Sequence, residues 1–449
     1  MKVIVIGAGG VGLHLAKTLS WEGHEVTLID NKQELIDRAG GTMDLLAIRG
    51  SGTSISTLVK AEAPDADLLV AVTSVDEVNI VSCMLARQLG VKRRIARVRN
   101  QEYSKPDIPI KLADLGIDQI IHPELEVARE VAKLVRYQQA IEVVECAGGK
   151  MLLLGVKVDD GAPILGVPLG KITSREAEIP YRLVAISRGG QTIIPSGKDV
   201  IKAQDKVFVI AGHNDVESVF QMAGKLAVSS RHVMLMGGGM LGRISAEELE
   251  KDGAYNVKLV ESDPELIQRA VQRLQRTLVV QAGSEADFDV LAVEGLAETG
   301  VFAALTDDDE NNIVTTLFAR HLGVKRTITL VSKPEYMPIV RAIGLDAAIN
   351  VKILTSDAVM KHLIGQRIIS VSSLTGVDAE IIEFAISAKS RIVGRKIRDI
   401  GFPKGTIVGA IDHQGEVAVA VGDSVVHQGD RMVVFCDQSE VPKVEKLLE

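Results

Sequence analysis

Two glycine-rich loops occupy the same place in two copies of one pattern. The strand-like run Val3-Ile4-Val5-Ile6 leads into Gly7-Ala8-Gly9-Gly10-Val11-Gly12, and 230 positions later (7 to 237) Val233-Met234-Leu235-Met236 leads into Gly237-Gly238-Gly239-Met240-Leu241-Gly242. A GxGxxG between a strand and a helix has a mechanical meaning. The first glycine makes the tight turn, the second lets backbone approach a diphosphate, and the third lets helix and sheet pack closely. The diphosphate rests on the free N–H groups and positive dipole end of the helix. Asp30, ending the run Glu25–Ile29, and Glu261, following Val257–Val260, are carboxylates placed to accept the two ribose hydroxyls of an adenosine. They favour NAD or adenine nucleotides over NADP, whose 2′-phosphate would meet a negative charge.

The two copies differ where further phosphate charge would fall. The fifth strand of the first half carries Arg97 and Arg99 in RIARVRN, whereas the aligned residues in ITLVSKPEY are Leu330 and Ser332. Strand side chains alternate, so Arg97 and Arg99 share a face. An arginine at the mouth of the sheet suits extra phosphate. The expectation is that the two loops prefer different ligands and that the first tolerates a triphosphate.

Groups able to do chemistry on a bound nucleotide are scarce. A dehydrogenase needs a positioned acid or base beside the nicotinamide, and the nine histidines form no pair at metal-ligand or triad spacing. His122, just past the sixth strand, is the best placed, but its counterpart is Asn350. Asp307-Asp308-Asp309-Glu310 reads as an acidic helix start complementing the dipole rather than a metal cluster. No GxxxxGK[ST] motif for ATP hydrolysis is present. No catalytic residue and no metal site is therefore expected, and dinucleotide loops without such equipment point to sensing. An NAD-dependent oxidoreductase is the alternative.

The elements that must hold these residues are legible. The two halves share four further markers in order: Asp30 with Glu261, Gly50-Ser51 with Gly283-Ser284, Asp76-Glu77 and Asn79 with Asp309-Glu310 and Asn312, and Leu89–Arg93 with Leu322–Arg326. That is a tandem duplication. Continuous apolar runs at Val3–Ile6, Glu25–Ile29, Leu45–Ile48, Leu68–Val72, Arg94–Val98 and Gln119–Ile121 suit strands covered on both faces. A helix around 13–22 ends at Gly23, and a second runs from Pro123 to about Tyr137 with Val127, Val131, Leu134 and Val135 on one face. That second helix either packs on its own domain or crosses to a neighbouring subunit; its counterpart is expected over 355–364. Residues 140–224 change texture, with strands near 156–158, 183–187, 192–194 and 206–210 and a hairpin turn at Arg188-Gly189-Gly190-Gln191. The predicted fold class is α/β. Each half is a doubly wound parallel-sheet (Rossmann-like) domain followed by a small α+β domain, with units at 1–122, 140–224, 230–350 and 366–449.

Composition narrows the rest. Net charge −8 without long runs of either sign, and aromatics at 3%, argue against a nucleic-acid groove or base-stacking platform. The longest apolar stretches fall far short of the ~18 residues a bilayer-spanning helix needs. The start Met1-Lys2 runs straight into a strand, so a cytoplasmic chain is expected. Cys83, Cys146 and Cys436 are scattered without CxxC spacing and read as buried thiols in a reducing compartment.

Over essentially its whole length the chain resembles TrkA-type proteins, the nucleotide-binding subunits of bacterial Trk potassium uptake systems. The resemblance rests on KVIVIGAGGVG, ADLLVAVTSVDEVNIVSC, RIARVRNQEY, GGGMLG, TDDDENN and SRIVGRKIRDIGFPKGTIVGAI. It implies two RCK-type halves and a homo-oligomeric ring, expected as a tetramer, docked on the inner face of the membrane under an integral potassium-translocating Trk subunit. NAD(H) and ATP or ADP would gate that partner. Carried over by motif, the first site comprises Gly7 to Gly12, Asp30, Ser51, Thr73, Ser74 and Arg97, with Arg99 beside it. The second comprises Gly237 to Gly242, Glu261, Ser284 and Thr306. Many members of the family carry an acidic residue or histidine where this chain has Ser51 and Ser284.

Overall fold

The computed structural model describes residues 1–21, 23–41, 44–104, 109, 111–172, 181–225, 230–283, 288–363, 368–373, 377 and 379–448. The chain divides into two compact units, one formed by 1–132 and 231–360, the other by 133–230 and 361–449.

The first unit holds two parallel sheets. In the first half β1 (Lys2–Ile6), β2 (Glu25–Asp30), β3 (Leu46–Arg49), β4 (Leu68–Ala71), β5 (Arg93–Arg97) and β6 (Gln119–Ile121) lie in the order β3-β2-β1-β4-β5-β6. The order reverses beside β1, which opens the crevice where such sheets bind ligands. The buried residues of β1 and β4 cover both faces, as continuous apolar runs require. After it come the strands of the first small domain, β7 (Glu142–Cys146), β8 (Met151–Lys157), β9 (Tyr181–Arg188), β10 (Gln191–Ile193) and β11 (Lys206–Gly212). The second half repeats the large sheet with β12 (His232–Met236), β13 (Asn256–Glu261), β14 (Leu278–Gln281), β15 (Val301–Ala304), β16 (Arg326–Leu330) and β17 (Ala347–Ile349), ordered β14-β13-β12-β15-β16-β17. It closes with β18 (Ile368–Ser373), β19 (Ala379–Ala385), β20 (Thr406–His413), β21 (Glu416–Val419) and β22 (Arg431–Asp437).

The repeated LGVKR stretch has a local cause. Gly90 and Gly323 end their helices at φ +95° and +93°. The following N–H groups, of Val91 and Val324, reach back to the Ala86 and Ala319 carbonyls at 3.0 and 3.1 Å. This left-handed helix stop needs glycine and turns the chain straight into β5 and β16.

The helix expected from Pro123 spans Pro123–Arg136, and Val127, Val131, Leu134 and Val135 are buried. Its Glu130 faces the other half of the same chain. Burial lowers the pKa of Arg326, and Asp346 and Glu130 partly offset that. Its counterpart begins at Val351, one turn before the expected Thr355, because Asn350 caps it: Asn350 Oδ1 accepts the N–H of Lys352 at 2.9 Å and of Ile353 at 3.1 Å.

The second unit holds two antiparallel sheets, β10-β9-β11-β8-β7 and β18-β19-β22-β20-β21, which are the same order read in opposite directions. The expected hairpin is present, with Gly189 and Gly190 at positive φ between paired Arg188 and Gln191. The strand expected at 156–158 is the end of a longer one, Met151–Lys157, and β7 has no counterpart among the expected strands. The sheets share a core in which Leu153, Phe208 and Ile210 meet Ile381, Val433 and Phe435. Cys83, Cys146 and Cys436 are all buried, and burial pushes the Cys83 and Cys436 thiols up to about 12. No helix among the described residues is long and apolar enough to cross a membrane.

Candidate functional site: two glycine loops in one unit

Each loop is built as the glycine spacing requires. Gly7 and Gly237 both sit at φ +102°. A Cβ on Gly12 would lie 1.8 Å from the Gly7 carbonyl oxygen, and one on Gly242 would lie 1.8 Å from that of Gly237. No side chain fits at either position. Around Gly9 and Gly239 a Cβ would meet nothing within 4 Å, so the middle glycine faces open space where a diphosphate can approach. Val11 and Gly12 are buried under the loop, and Gly9 and Gly10 are exposed.

Behind the loops lies a second duplicated device. Asn79, fully buried, accepts from the Thr73 N–H and hydroxyl at 2.9 and 2.7 Å and donates to the carbonyls of Thr73 and Arg97 at 3.1 and 2.8 Å. Asn312 does the same for Thr306 and Leu330. These clasps lock the β4 and β15 exits against β5 and β16 and fix Thr73 and Thr306 beside their loops: Cβ atoms on Gly7 and Gly237 would come within 3.1 Å of the Thr73 and Thr306 methyls. Ser74, next to Thr73, is exposed. Ser51 is exposed at the end of β3, its hydroxyl 2.8 Å from that of Thr53. Its counterpart Ser284 lies outside the described residues.

The carboxylates at the ends of β2 and β13 differ. Asp30 accepts one backbone N–H on each oxygen, from Ala8 at 2.7 Å and Lys32 at 2.9 Å, and it is only half-buried. Glu261 is 1% exposed and accepts three, from Gly238 at 2.5 Å, Ser262 at 2.7 Å and Asp263 at 2.8 Å. The longer glutamate needs the room: a Cβ at Gly238 would fall 2.9 Å from its Cγ, whereas the first loop has Ala8 there. An ionised carboxylate has about four acceptor positions. Asp30 keeps two for a ribose on an accessible side; Glu261, which also takes the Ser262 hydroxyl at 3.4 Å, keeps none and is enclosed.

Arg97 and Arg99 share a face as expected, but they converge on one carboxylate. Glu124 Oε1 takes Arg97 at 3.0 Å and Arg99 at 3.4 Å. Arg97 is 8% exposed, and its Nε and the Glu124 Oε2 are buried without partners among the described residues. The arginine expected at the mouth of the sheet is thus already neutralised.

Sequence reading missed a different cation. Lys352, two residues past Asn350 in the second half, reaches the first loop: its Nζ lies 3.3 Å and its Cε 2.6 Å from where a Cβ on Gly10 would sit. Its ammonium has no ion pair among the described residues. Burial lowers the pKa of His14, on the helix following the loop, and Lys17 and Lys352 lower it further. The readable signal was a charge reversal, because Lys352 aligns with Glu124 (Asn350 with His122). At the second loop the neighbouring cation is local: Arg243 donates to the Gly238 carbonyl at 2.9 Å.

The residues set aside as catalytic have structural partners. The ring of His122 hydrogen-bonds with the Val98 main chain and burial lowers its pKa, while Asn350 donates to the aligned Val331 carbonyl at 2.7 Å. Asp308 caps its helix through the Asn311 N–H, Asp309 accepts from the Ser332 and Lys333 N–H groups, and Glu310 pairs with Lys333 and Tyr336.

Duplicated Rossmann-like domains alternating with small antiparallel ones define a class, and comparison with known proteins agrees. The TrkA-N domain matches residues 3–123 and 233–351, and the TrkA-C domain matches 153–224 and 381–449. The chain belongs to the TrkA family. It is 34% identical over 455 residues to the Trk system potassium uptake protein TrkA of Vibrio alginolyticus, covering 100% of this chain and 99% of that protein. It is also 34% identical over 460 residues to TrkA homolog 2 of Methanosarcina mazei, covering 100% of each. Among solved structures, the GsuK channel bound to NAD superposes with a TM-score of 0.63 at 15% identity, over 100% of this chain and 78% of that one. The GsuK RCK domain alone gives 0.62, over 94% of its chain.

Proposed function

We propose that this chain is a nucleotide-sensing regulatory subunit of a potassium uptake system and carries out no reaction of its own. It binds NAD(H) and adenine nucleotides, ATP or ADP, and works as a homo-oligomeric ring, a tetramer, on the cytoplasmic face of a membrane-embedded potassium-translocating Trk subunit. The observation that carries this reading is the first glycine loop. It is open at Gly9, has a half-free carboxylate at Asp30, and has at Gly10 an ammonium, supplied by the other half of the chain, that has no ion pair among the described residues. His122, past the first sheet, and Asp308 to Glu310, in the second half, are engaged in hydrogen bonds and ion pairs of the fold. The family relatives named as potassium uptake proteins support the same reading.

A nucleotide then acts by linkage. It shifts the assembly only by binding one shape better than the other, with couplings of about 1–3 kcal/mol. Lys352 gives a physical route, since phosphate on the first loop draws on a side chain anchored in the second half. The test is to pull the tagged full chain from detergent-solubilised membranes of its host with ATP, ADP or NADH present. Recovery of a multi-pass cation transporter in nucleotide-dependent amount is expected. Recovery of soluble proteins alone, with steady NADH consumption on a small substrate, would overturn the reading.

A further inference from the structure

The nine histidines show no ligand spacing along the sequence, but the fold brings two of them together in the second small domain. His413 ends β20, and His427 lies in the turn before β22. Their rings stand 4.6 Å apart between centroids, tilted by 49°. Both face Asp430. His413 Nδ1 is 2.6 Å from Asp430 Oδ1, and His427 Nδ1 is 3.8 Å from Oδ2. The Asp430 side chain is 1% exposed while the imidazoles are 43% and 54% exposed, so a carboxylate fixed in the protein is roofed by two rings open to solvent.

The first small domain shows what this place does when its chemistry is fixed. Asp205 occupies the same turn. It accepts the Lys202 N–H at 2.8 Å, as Asp430 accepts that of His427 at 2.7 Å. Above Asp205 lies Arg188, which holds both carboxylate oxygens at 2.9 and 2.7 Å. Arg188 pairs with Gln191 across its hairpin, as His413 pairs with Glu416, so the two residues are structural equivalents. Burial would push the Asp205 carboxyl up, but Arg188 and the Lys202 N–H together hold it below its ordinary value. The first domain thus has a permanent positive charge closing strand end to turn. The second has two imidazoles in its place.

We propose that His413, His427 and Asp430 form a binding site for a divalent first-row transition metal of zinc-like preference. Two imidazole nitrogens and one carboxylate oxygen are a ligand set for such ions rather than for alkali or alkaline-earth cations. Their ligating atoms all lie within 4.8 Å of one another. A tetrahedral zinc holds its donors about 3.3 Å apart, which rotation of the two exposed imidazoles supplies. On binding, the ion takes the place of the proton at His413 Nδ1, a neutral ring keeping its one proton at Nε2 and an imidazolium releasing its second to solvent, and water fills the fourth position. The site then does conditionally what Arg188 does permanently: it ties the end of β20 to the turn before β22. This assignment is independent of the nucleotide reading.

The test uses the purified full chain, ZnCl2 in competition with a chromogenic chelator, and CoCl2 for its visible absorption. Wild type should take up one zinc per chain and give the cobalt spectrum of a nitrogen- and oxygen-ligated ion. His413→Arg, which rebuilds the pair of the first domain, should fold with an unchanged melting temperature and bind zinc at least tenfold more weakly. His427→Gln should weaken binding similarly and leaves the Asp430 pair with His413 intact, so it serves if the arginine is not accommodated. Zinc affinity and stoichiometry unchanged in both variants, or no uptake by wild type at submillimolar zinc, would overturn the assignment.

Discussion

The first and second glycine loops are the same backbone, each with one carboxylate and one cation beside it, arranged differently. Beside the first stands a short, half-free aspartate, and a lysine arrives from the other half. Beside the second a longer glutamate is folded in against Gly238, enclosed and holding three N–H groups. The fifth strands differ in step. The first half carries Arg97 and Arg99 and pairs both with Glu124; the second has Leu330 and Ser332, and the residue aligned with Glu124 is Lys352. With no arginine to oppose, that position changed sign and serves the other half's loop. Duplication here produced not two copies of a site but one receptive loop and one tied largely to its own carboxylate.

The most severe way to probe the comparison removes what the loops share. Gly12→Ala and Gly242→Ala each force a Cβ onto a carbonyl 1.8 Å away and should cost at least about 3 kcal/mol, read as a lowered thermal midpoint in both variants. A tolerated alanine at either position would mean that the loop there is not closed as described.

Removing what differs should separate the halves. Glu261→Ala removes the acceptor of three N–H groups, that of Gly238 buried, and should cost about 2–3 kcal/mol of stability while leaving the tightest nucleotide site intact. Asp30→Ala loses two partly exposed bonds, about 1 kcal/mol, yet should weaken NADH binding at least tenfold. Chemical denaturation and calorimetric titration on the same preparations would show whether these effects are instead alike in the two variants.

Lys352→Met is a smaller perturbation. One ammonium on a partly exposed phosphate should change ATP affinity by about three- to tenfold, more at low salt than at high, without altering stability. An effect as large in 0.5 M salt as in 0.05 M would place the lysine elsewhere. The smallest change is expected from Glu124→Gln, which releases Arg97 and Arg99 toward a third phosphate. ATP should bind about twofold to fivefold tighter with ADP unaffected, and equal gains for both nucleotides would argue against that placement.

Much of this architecture could be read from the chain because it is local. Unbroken apolar runs fix the parallel strands, Gly23 ends the first helix, and the recurrence of Leu89–Arg93 and of Asn79 in the second half marks the duplication. The small-domain edges were harder. In β7 the glutamates of EVVEC interrupt the apolar residues, and Met151–Lys157 is too uniformly apolar to show where it begins. The site features missed are the long-range ones. Nothing near Gly10 announces Lys352, more than 340 positions away (10 to 352), and no spacing joins His413 to Asp430. Whether Arg97 faces ligand or Glu124 depends on packing between β5 and the helix after β6. Glu261 and Asp30 look interchangeable until Gly238 and Ala8 show how much room each carboxylate has.

The central claim is that the first loop is the receptive site of the pair. Calorimetric titration of NADH into the full-length wild-type chain, repeated with Asp30→Ala and Glu261→Ala, tests it most directly. The account predicts one tight site per chain in wild type and in Glu261→Ala, at least tenfold weaker in Asp30→Ala. Two equivalent sites in wild type, or a tight site that survives Asp30→Ala and disappears in folded Glu261→Ala, would contradict it.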